Sequence, residues 1–231
     1  AMRLPVRTVD EFQQLTGGRL VEGYGLTESA PVALCNPLNR NARAGTVGLP
    51  VPCTDARVVD EHDPDVVVPP GTAGELAIRG PQVFAGYWGH AGDTAAMLRD
   101  GWLLTGDIVT MSPDGFFTIV DRKRDVILAS GFSIFPSEVE DAVCEHPEVK
   151  ECVVIGVPDP YRGETVKAYV VPQPGHWLIA EQIQDHCATR LAPYKVPKLV
   201  EVRDDVPRSI IGKPLRRVLR EEHLAATRRV G

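Results

Sequence analysis

Four short motifs carry polar or charged side chains, and three of them place those side chains beside glycines, where a backbone can approach a ligand closely. The first is Gly-Tyr-Gly-Leu-Thr-Glu at residues 23–28. Tyr24 offers a flat face on which a purine can stack, Thr27 a hydroxyl for a phosphate oxygen, and Glu28 a hard oxygen ligand for Mg²⁺. A glycine turn around a buried tyrosine is the structural alternative for this motif taken alone.

The other three motifs follow along the chain. Asp107 ends the run Thr-Gly-Asp, and a carboxylate after a strand can accept two hydrogen bonds from a ribose diol; a tight turn is the alternative. Residues 121–125 (Asp-Arg-Lys-Arg-Asp) form a charged cluster, for which a solvated turn is the alternative. Lys213, after Gly212, is a mobile cation with three donors that can offset charge developing on a phosphate and a carboxylate; an ordinary surface lysine is the alternative.

In this order, the four motifs resemble those of the adenylate-forming enzymes, the superfamily of acyl- and aryl-CoA synthetases and luciferase-like proteins. The resemblance is strongest to bacterial long-chain fatty acid:CoA ligases, and it extends over essentially all 231 residues. It implies that Tyr24 stacks on adenine, that Gly25 lets the backbone approach the nucleotide, and that Thr27 contacts the α-phosphate. It further implies that Glu28 binds magnesium and that Asp107 binds the ribose.

For the later motifs, the resemblance assigns Arg122 to the ribose or phosphate and makes Arg124 the hinge between two domains. It assigns Gly131 to the passage for the pantetheine arm of CoA and makes Lys213 the catalytic lysine. The chain departs from the commonest family pattern in four places: it has Trp102 for tyrosine, Asp121 for glycine, Arg124 for lysine or aspartate, and Ser209 for threonine. Ile210 and Ile211 also make the last loop more apolar than usual.

Composition limits the other functions to be considered. The net charge of −6 argues against bulk attraction to nucleic acid or to an anionic membrane. A hydrophobic fraction of 43% predicts a folded core. The five cysteines contain no Cys-x-x-Cys pair, which favours reduced thiols in the cytoplasm over a disulfide framework or a zinc site.

The first part of the chain is rich in glycine and proline, with short alternating apolar runs. Residues 55–59, 74–78 and 116–120 are predicted strands of a small barrel or twisted sheet, and residues 19–21 a short strand before the first motif. Residues 10–15 are the predicted tail of a helix. Residues 93–98 are a predicted helix with Asp93 as its N-cap. Residues 1–121 are therefore expected to be the distorted β-barrel or sheet portion of a larger AMP-binding domain.

Strands and helices alternate in the second part, residues 122–231. Pro136 and the acidic residues after it predict a helix start, and Val139, Ala142 and Val143 give its apolar face. The other predicted elements are strands at 126–128, 151–157 and 165–171 and helices at 180–191 and 215–226. The fold class expected is mixed α/β, with a small, mobile α/β domain after the hinge.

The resemblance implies two reactions: ATP and a fatty acid give acyl-adenylate and pyrophosphate, and CoA then gives acyl-CoA and AMP. The family's phosphate-binding loop, rich in Ser, Thr and Gly, has no counterpart here, so we expect the chain to be the inactive C-terminal half of a longer ligase. Peripheral contact with the inner face of the membrane and homo-oligomer formation stay open. The alternatives are a ligase for medium-chain or aryl carboxylates and a non-catalytic nucleotide-binding or interaction module.

Overall fold

The chain divides into two compact units, Ala1–Lys123 and Arg124–Gly231. The computed structural model describes residues 4, 6–210 and 212–230, with the backbone alone for 228–230. The mainly antiparallel sheets and five helices of the described residues confirm the mixed α and β class predicted from the sequence. Ile211, one of the two isoleucines singled out in the last loop, lies outside the described residues.

The first unit is built mainly of β-strands. Its elements in chain order are α1 (Val6–Thr16), β1 (Gly23–Gly25), a 3₁₀ turn (Thr27–Ser29), β2 (Val32–Cys35), β3 (Leu49–Pro50), β4 (Asp55–Val59), β5 (Gly74–Arg79), α2 (Ala91–Met97), β6 (Leu98–Arg99), β7 (Trp102–Met111) and β8 (Phe117–Arg122). The predicted strands at 55–59, 74–78 and 116–120 and the predicted helix tail at 10–15 are thus confirmed.

Two sheets organise these strands. One has the order β1-β2-β3, and the other has the order β4-β5-β7-β6 with β8 on β7. β5 lies between β4 and β7, and its first five residues are buried, which explains its nearly continuous apolar sequence. Leu76, Ile78, Leu103, Val109 and Phe117 form the centre of the core, and Tyr24 of β1 packs into the same cluster.

Two local predictions for the first unit are wrong. Residues 19–21 form no strand: Leu20 and Val21 instead line a cleft of about 350 Å³ beside α1. Asp93 is not the N-cap of α2, because that helix begins at Ala91 with His90 as its cap residue. Asp93 lies in the first turn instead, where its carboxylate is 3.2 Å from His90 Nδ1 and near the positive end of the helix dipole.

The second unit is a five-stranded sheet with helices. Its elements are a 3₁₀ turn at the boundary (Lys123–Asp125), β9 (Ile127–Ala129), β10 (Phe132–Ile134), α3 (Pro136–Cys144), β11 (Val149–Asp159), β12 (Gly163–Pro172), α4 (Ala180–Ala188), β13 (Leu199–Val202) and α5 (Arg216–Val230). The strand order is β10-β9-β12-β11, and β13 pairs with β12 in parallel.

The central hairpin of this unit is buried on both faces. Successive residues of β11 and β12 point to opposite sides, so Val154 joins one apolar cluster and Ile155 the other. The first cluster includes Val139 and Ile183 of α3 and α4, and the second includes Leu219 of α5. The predicted apolar face of α3 is confirmed, because Val139, Ala142 and Val143 are all buried.

One helix is shorter than predicted. α4 ends at Ala188 rather than at residue 191, and its last turn closes with the amides of Arg190 and Leu191 donating to the carbonyl of Cys187. Pro193 disfavours helical backbone in the residue before it. Among the residues described, no helix is long and apolar enough to cross a membrane.

Candidate nucleotide site and catalytic loop

Three of the predicted site residues meet in the first unit. Asp107 on β7 faces Arg122 across the β7–β8 ladder, and Arg122 Nε lies 2.9 Å from Asp107 Oδ1. Tyr24, 83 residues earlier in the chain, donates its hydroxyl to Asp107 Oδ2 at 2.6 Å. Tyr24 and Asp107 are each 6% exposed, whereas the Arg122 side chain is 47% exposed. A buried carboxylate is thus held from both sides next to a half-exposed cation.

The electrostatics of this cluster keep its phenol protonated. Burial is the main cause that raises the pKa of Tyr24 above its usual range, and the negative charge of Asp107 adds to it. Tyr24 therefore remains a hydrogen-bond donor at neutral pH. A carboxylate has about four lone-pair sites, so Asp107 can accept further hydrogen bonds from a diol in addition to these two contacts.

Glu75 of β5 supports the turn that carries Asp107. Glu75 is 3% exposed; its Oε1 accepts from the Gly106 amide at 2.9 Å, and its Oε2 lies 2.7 Å from Lys123 Nζ. Gly106 has φ of +70°, a conformation that side chains disfavour. The Thr105 hydroxyl accepts from the Asp107 amide at 3.2 Å. Glu75 therefore fixes the backbone beside Asp107 and holds Lys123, the residue before Arg124.

The first motif folds as a tight 3₁₀ turn after β1. Ser29, fully buried, accepts from the Leu26 amide and bonds the Pro31 carbonyl at 2.8 Å through its hydroxyl. A Cβ on Gly25 would lie 1.6 Å from the Pro31 oxygen, so this position has room only for glycine. The turn leaves Thr27 exposed, as expected for a residue that contacts a phosphate.

Glu28, on the same turn, has a phenolic partner. Tyr87 donates its hydroxyl to Glu28 Oε1 at 2.6 Å, and the Phe84 amide donates to the Glu28 carbonyl at 2.9 Å. The hydrogen bond to Glu28 is the main cause that raises the pKa of Tyr87 to about 12, so the phenol stays protonated at neutral pH. Tyr87 and Phe84 also pack edge to face, with ring centroids 4.9 Å apart.

The donor set around Glu28 is compatible with Mg²⁺. Among the described residues, no group of three or more His, Cys, Asp or Glu side chains gathers as a metal site. Mg²⁺ does not need such a group, because in nucleotide sites it takes one or two carboxylates together with phosphate oxygens and waters. Glu28 is half-buried and binds Tyr87 through Oε1, so Oε2 can serve as that ligand.

Lys213 is half-buried on a loop of the second unit whose Ile210 and Gly212 are exposed. The Ser209 amide donates to the Lys213 carbonyl at 2.8 Å, and the Ser209 hydroxyl accepts from the Lys213 amide at 3.1 Å. Gly212 has φ of +78°, and its carbonyl accepts from Arg208 at 3.2 Å. Ile210 is fully exposed. The backbone of the loop is therefore bonded, while the Lys213 ammonium has no ion-pair or hydrogen-bond partner among the residues described.

The glycine expected to face CoA lies at the tip of the β9–β10 hairpin. Gly131 has φ of +82°, and nothing lies within 4 Å of the position its Cβ would take. The next residue, Phe132, stacks on Tyr194 with ring centroids 4.4 Å apart. Glu164 accepts from the Leu128 amide at 2.9 Å at the base of the hairpin. The hairpin therefore leaves open space at Gly131, while the Phe132–Tyr194 stack and the hydrogen bond from Leu128 to Glu164 hold its two strands.

Sequence reasoning placed the family motifs but missed several residues that hold them. Arg124, the expected hinge, is exposed and is the first residue of the second unit. No sequence pattern singled out Glu75, Tyr87, Ser29 or Thr105 as part of the site. Their partners lie up to 59 residues away in sequence, as for Glu28 and Tyr87. The one available signal was a charged residue, Glu75, inside an apolar strand.

Comparisons with known proteins identify the family. A family model described as AMP-binding enzyme matches residues 1–88, and one described as AMP-binding enzyme C-terminal domain matches residues 138–213. A long-chain-fatty-acid–CoA ligase from Bacillus subtilis (strain 168) is 49% identical over 95% of this chain. The chain therefore belongs to the AMP-binding enzyme family. It spans 39% of the length of that relative.

Other relatives extend the comparison to different carboxylates. A feruloyl-CoA synthase from Amycolatopsis sp is 43% identical over 87% of this chain and 40% of its own length. The crystal structure of ATP-bound MatB from Rhodopseudomonas palustris has a TM-score of 0.90 at 34% identity, covering 96% of this chain and 44% of that one. The anthranilate CoA ligase AuaEII in complex with anthranoyl-AMP has a TM-score of 0.83 at 30% identity, with 98% and 44% coverage.

Proposed function

We propose that this chain is part of an AMP-forming ligase that joins long-chain fatty acids to CoA. The observation that carries the proposal is the buried Asp107 carboxylate, held by Tyr24 and Arg122 on its two oxygens within a chain of this family. A carboxylate fixed in this way suits a ribose diol. The names of the relatives at 48% to 49% identity support the fatty acid as the acyl substrate.

In the first reaction, a carboxylate oxygen of the fatty acid attacks the α-phosphorus of ATP and pyrophosphate leaves. We assign the ribose to Asp107 with Arg122 and the approaching backbone to Gly25. Adenine stacking by Tyr24 would use the small part of its ring that is exposed, because Tyr24 is 6% exposed and holds Asp107 through its hydroxyl. We assign the α-phosphate to Thr27, which is exposed on its turn. Glu28 would hold Mg²⁺, which supplies positive charge to the phosphates when bound.

Lys213 would act in the same reaction. Its ammonium can offset charge on the α-phosphate and the carboxylate as they react, and the unpaired state of this ammonium among the described residues supports that role. In the second reaction, the CoA thiol attacks the acyl carbon, and AMP and a proton leave. We propose that the second unit turns about Arg124 between the two reactions and that Gly131 then gives space to the pantetheine arm.

The activity would belong to a longer protein. The share of 39% of the relative's length supports an upstream half that completes the phosphate site and the acyl pocket. Leu15 and Leu38 are 86% and 80% exposed, which fits a surface that such a half covers. Self-association of the isolated chain, a cytoplasmic location and peripheral membrane contact are parts of the proposal that rest on the sequence alone.

A second candidate is a ligase for aryl carboxylates, favoured by the feruloyl-CoA synthase relative at 43% identity. Activity with medium-chain acids is a variant of the same idea. A non-catalytic nucleotide-binding or interaction module is the candidate from another class. These candidates differ in which carboxylate, if any, gives AMP release.

The test is AMP release in the presence of ATP, Mg²⁺ and CoA, measured on this chain and on the same chain extended upstream to a full-length ligase. Palmitate, octanoate and ferulate are compared as substrates. We expect the extended protein to prefer palmitate and the chain alone to be silent. A preference for ferulate would favour the aryl ligase, and an extended protein inactive with every acid would favour the binding module.

A further inference from the structure

We infer that Tyr87 is a positioning residue for the carboxylate of Glu28: its hydroxyl fixes Oε1, so that Oε2 stays available as an oxygen ligand for Mg²⁺. The inference rests on the proposed function, in which Glu28 binds the metal that accompanies ATP. Tyr87 lies in the run Gly86-Tyr87-Trp88, outside the four motifs that carry the family resemblance.

The segment of Tyr87 is attached to Glu28 at two points. The Phe84 amide donates to the Glu28 carbonyl at 2.9 Å, and the Tyr87 hydroxyl donates to Glu28 Oε1 at 2.6 Å. One bond holds the backbone of residue 28 and the other holds its side chain. Such a double attachment fixes the direction of the carboxylate relative to the turn that carries Thr27.

Tyr87 is itself held by its surroundings. Its amide donates to the Thr94 hydroxyl at 2.9 Å, and its ring lies edge to face against Phe84 at an interplanar angle of 74°. Gly86 has φ of +136°, and a Cβ there would lie 2.5 Å from the Thr94 side chain. Met97 Sδ lies 2.9 Å from the Tyr87 oxygen on the side of α2. The phenol is therefore a fixed donor rather than a mobile surface group.

Fixing Glu28 has a chemical consequence for cation binding. A glutamate side chain has three torsion angles, and ordering them on binding costs conformational entropy. Mg²⁺ also requires near-ideal octahedral geometry, so a carboxylate that points the wrong way is a poor ligand. A carboxylate oriented in advance binds the cation more tightly, because the ordering has already occurred.

The test replaces Tyr87 with phenylalanine in the full-length ligase, which removes the hydroxyl and keeps the ring on Phe84. Tyr161→Phe is the matched control, since Tyr161 is 95% exposed in the second unit. The first readout is the Kd of Mn²⁺ in the presence of ATP, measured by electron paramagnetic resonance. The second is the half-saturating concentration of Mg²⁺ and of ATP in carboxylate-dependent ATP–pyrophosphate exchange.

We expect Tyr87→Phe to raise the Kd of Mn²⁺ and the half-saturating Mg²⁺ concentration about 3- to 10-fold, the range of one lost hydrogen bond of ordinary net strength, because this bond acts on the cation only through the orientation of Glu28. The half-saturating ATP concentration at saturating Mg²⁺ should stay within about twofold. Tyr161→Phe should match the wild type in all three values.

Two results would overturn the inference. An unchanged metal affinity in Tyr87→Phe would remove the positioning role and leave the proposed function intact. Equal weakening of Mg²⁺ and ATP binding, with a lower unfolding temperature, would show that Tyr87 only supports the fold. A wild-type enzyme that binds Mn²⁺ with ATP but activates no carboxylate would contradict the proposed function instead, and the Mn²⁺ comparison would still decide the role of Tyr87.

Discussion

The Asp107 cluster of the first unit and the Lys213 loop of the second hold their charged groups in opposite ways. Asp107 is 6% exposed, lies on a ladder opposite Arg122 and has a partner on each oxygen. Lys213 lies on a loop whose hydrogen bonds use the backbone, the Ser209 hydroxyl and the Arg208 guanidinium, and its ammonium has no partner among the described residues.

The difference is what the two proposed tasks, ligand recognition by Asp107 and charge stabilisation by Lys213, would require. A group that recognises a ligand gains from being fixed in advance, because less freedom is lost on binding. A charge that must reach a reacting centre and then leave it gains from having no partner to give up. Fixed groups should therefore affect nucleotide affinity when mutated, and the free lysine should affect the rate of the chemical step.

The largest effect is expected at Lys213. In the full-length ligase, Lys213→Ala should lower the rate of adenylate formation about 100- to 1000-fold, because charge on the reacting phosphate loses its counterion. Thioester formation from supplied acyl-adenylate should stay within about threefold. The two half-reactions are measured separately, with Lys150→Ala, an exposed lysine of β11, as the control. Equal losses in both half-reactions would contradict the assigned role.

The next largest effect is expected at Asp107. Asp107→Ala should raise the KM for ATP about 10- to 100-fold, since two hydrogen bonds to a charged acceptor are lost. The kcat at saturating ATP should change less. Asp114→Ala, at an exposed aspartate in the β7–β8 turn, is the matched control. An unchanged KM in Asp107→Ala would argue against a ribose contact.

A smaller effect should follow from loosening the fixed site without touching its ligand groups. Glu75→Gln weakens the contacts to the Gly106 amide and to Lys123, at a cost of about 1–3 kcal/mol to the local structure. Hydrogen exchange at the Gly106 amide in the full-length enzyme should become about 5- to 100-fold faster. Glu181→Gln, at an exposed residue of α4, should leave that rate unchanged. Exchange at the wild-type rate in Glu75→Gln would show that Glu75 does not hold the turn.

The smallest effect concerns the helix that follows the lysine loop. His223 of α5 lies with Nδ1 3.2 Å from Lys167 Nζ, and burial followed by the positive charge of Lys167 lowers the pKa of His223 below 6.5. Below about pH 6.5 the unfolded chain therefore binds more protons at His223 than the folded chain does. The contribution of His223 to the free energy of unfolding is complete above about pH 6.5 and is lost as the pH falls below that value.

His223→Gln should therefore reduce the loss of stability between pH 7.5 and pH 5.5, by less than about 1 kcal/mol. His186, whose pKa burial also lowers, would account for part of the dependence that remains. Urea midpoints of the full-length enzyme at the two pH values provide the measurement. His62→Gln, at an exposed histidine, is the control. If His223→Gln leaves the pH dependence of the free energy of unfolding unchanged, other groups cause that dependence.

The sequence could predict what depends on short-range patterns. The strands at 55–59 and 74–78 and the start of α3 at Pro136 followed from alternation, turn residues and proline placement, and the structure confirms them. The family motifs could be found because their order along the chain is itself a pattern. The prediction at 19–21 failed because the short apolar pair Leu20 and Val21 lines a cleft instead of pairing in a sheet.

The contacts that complete the site depend on pairing over long distances. Tyr24 and Asp107 are 83 residues apart, and Glu75 and Gly106 are 31 apart. No local preference specifies which buried polar groups will meet once sheets have formed. The structure supplies these pairs, while the ligand roles of all the site residues, Asp107 and Lys213 included, stay predictions.

The space around two glycines affects how sequence variation in this family should be interpreted. At Gly25, a Cβ would collide with the Pro31 carbonyl, so larger residues are excluded whatever the protein binds. At Gly131, nothing lies within 4 Å of a Cβ, and a positive φ is the only local constraint. If relatives always have glycine at position 25, folding alone explains it. At position 131 the positive φ also admits asparagine or aspartate, so an invariant glycine there would point to a ligand that needs the open space beside the hairpin.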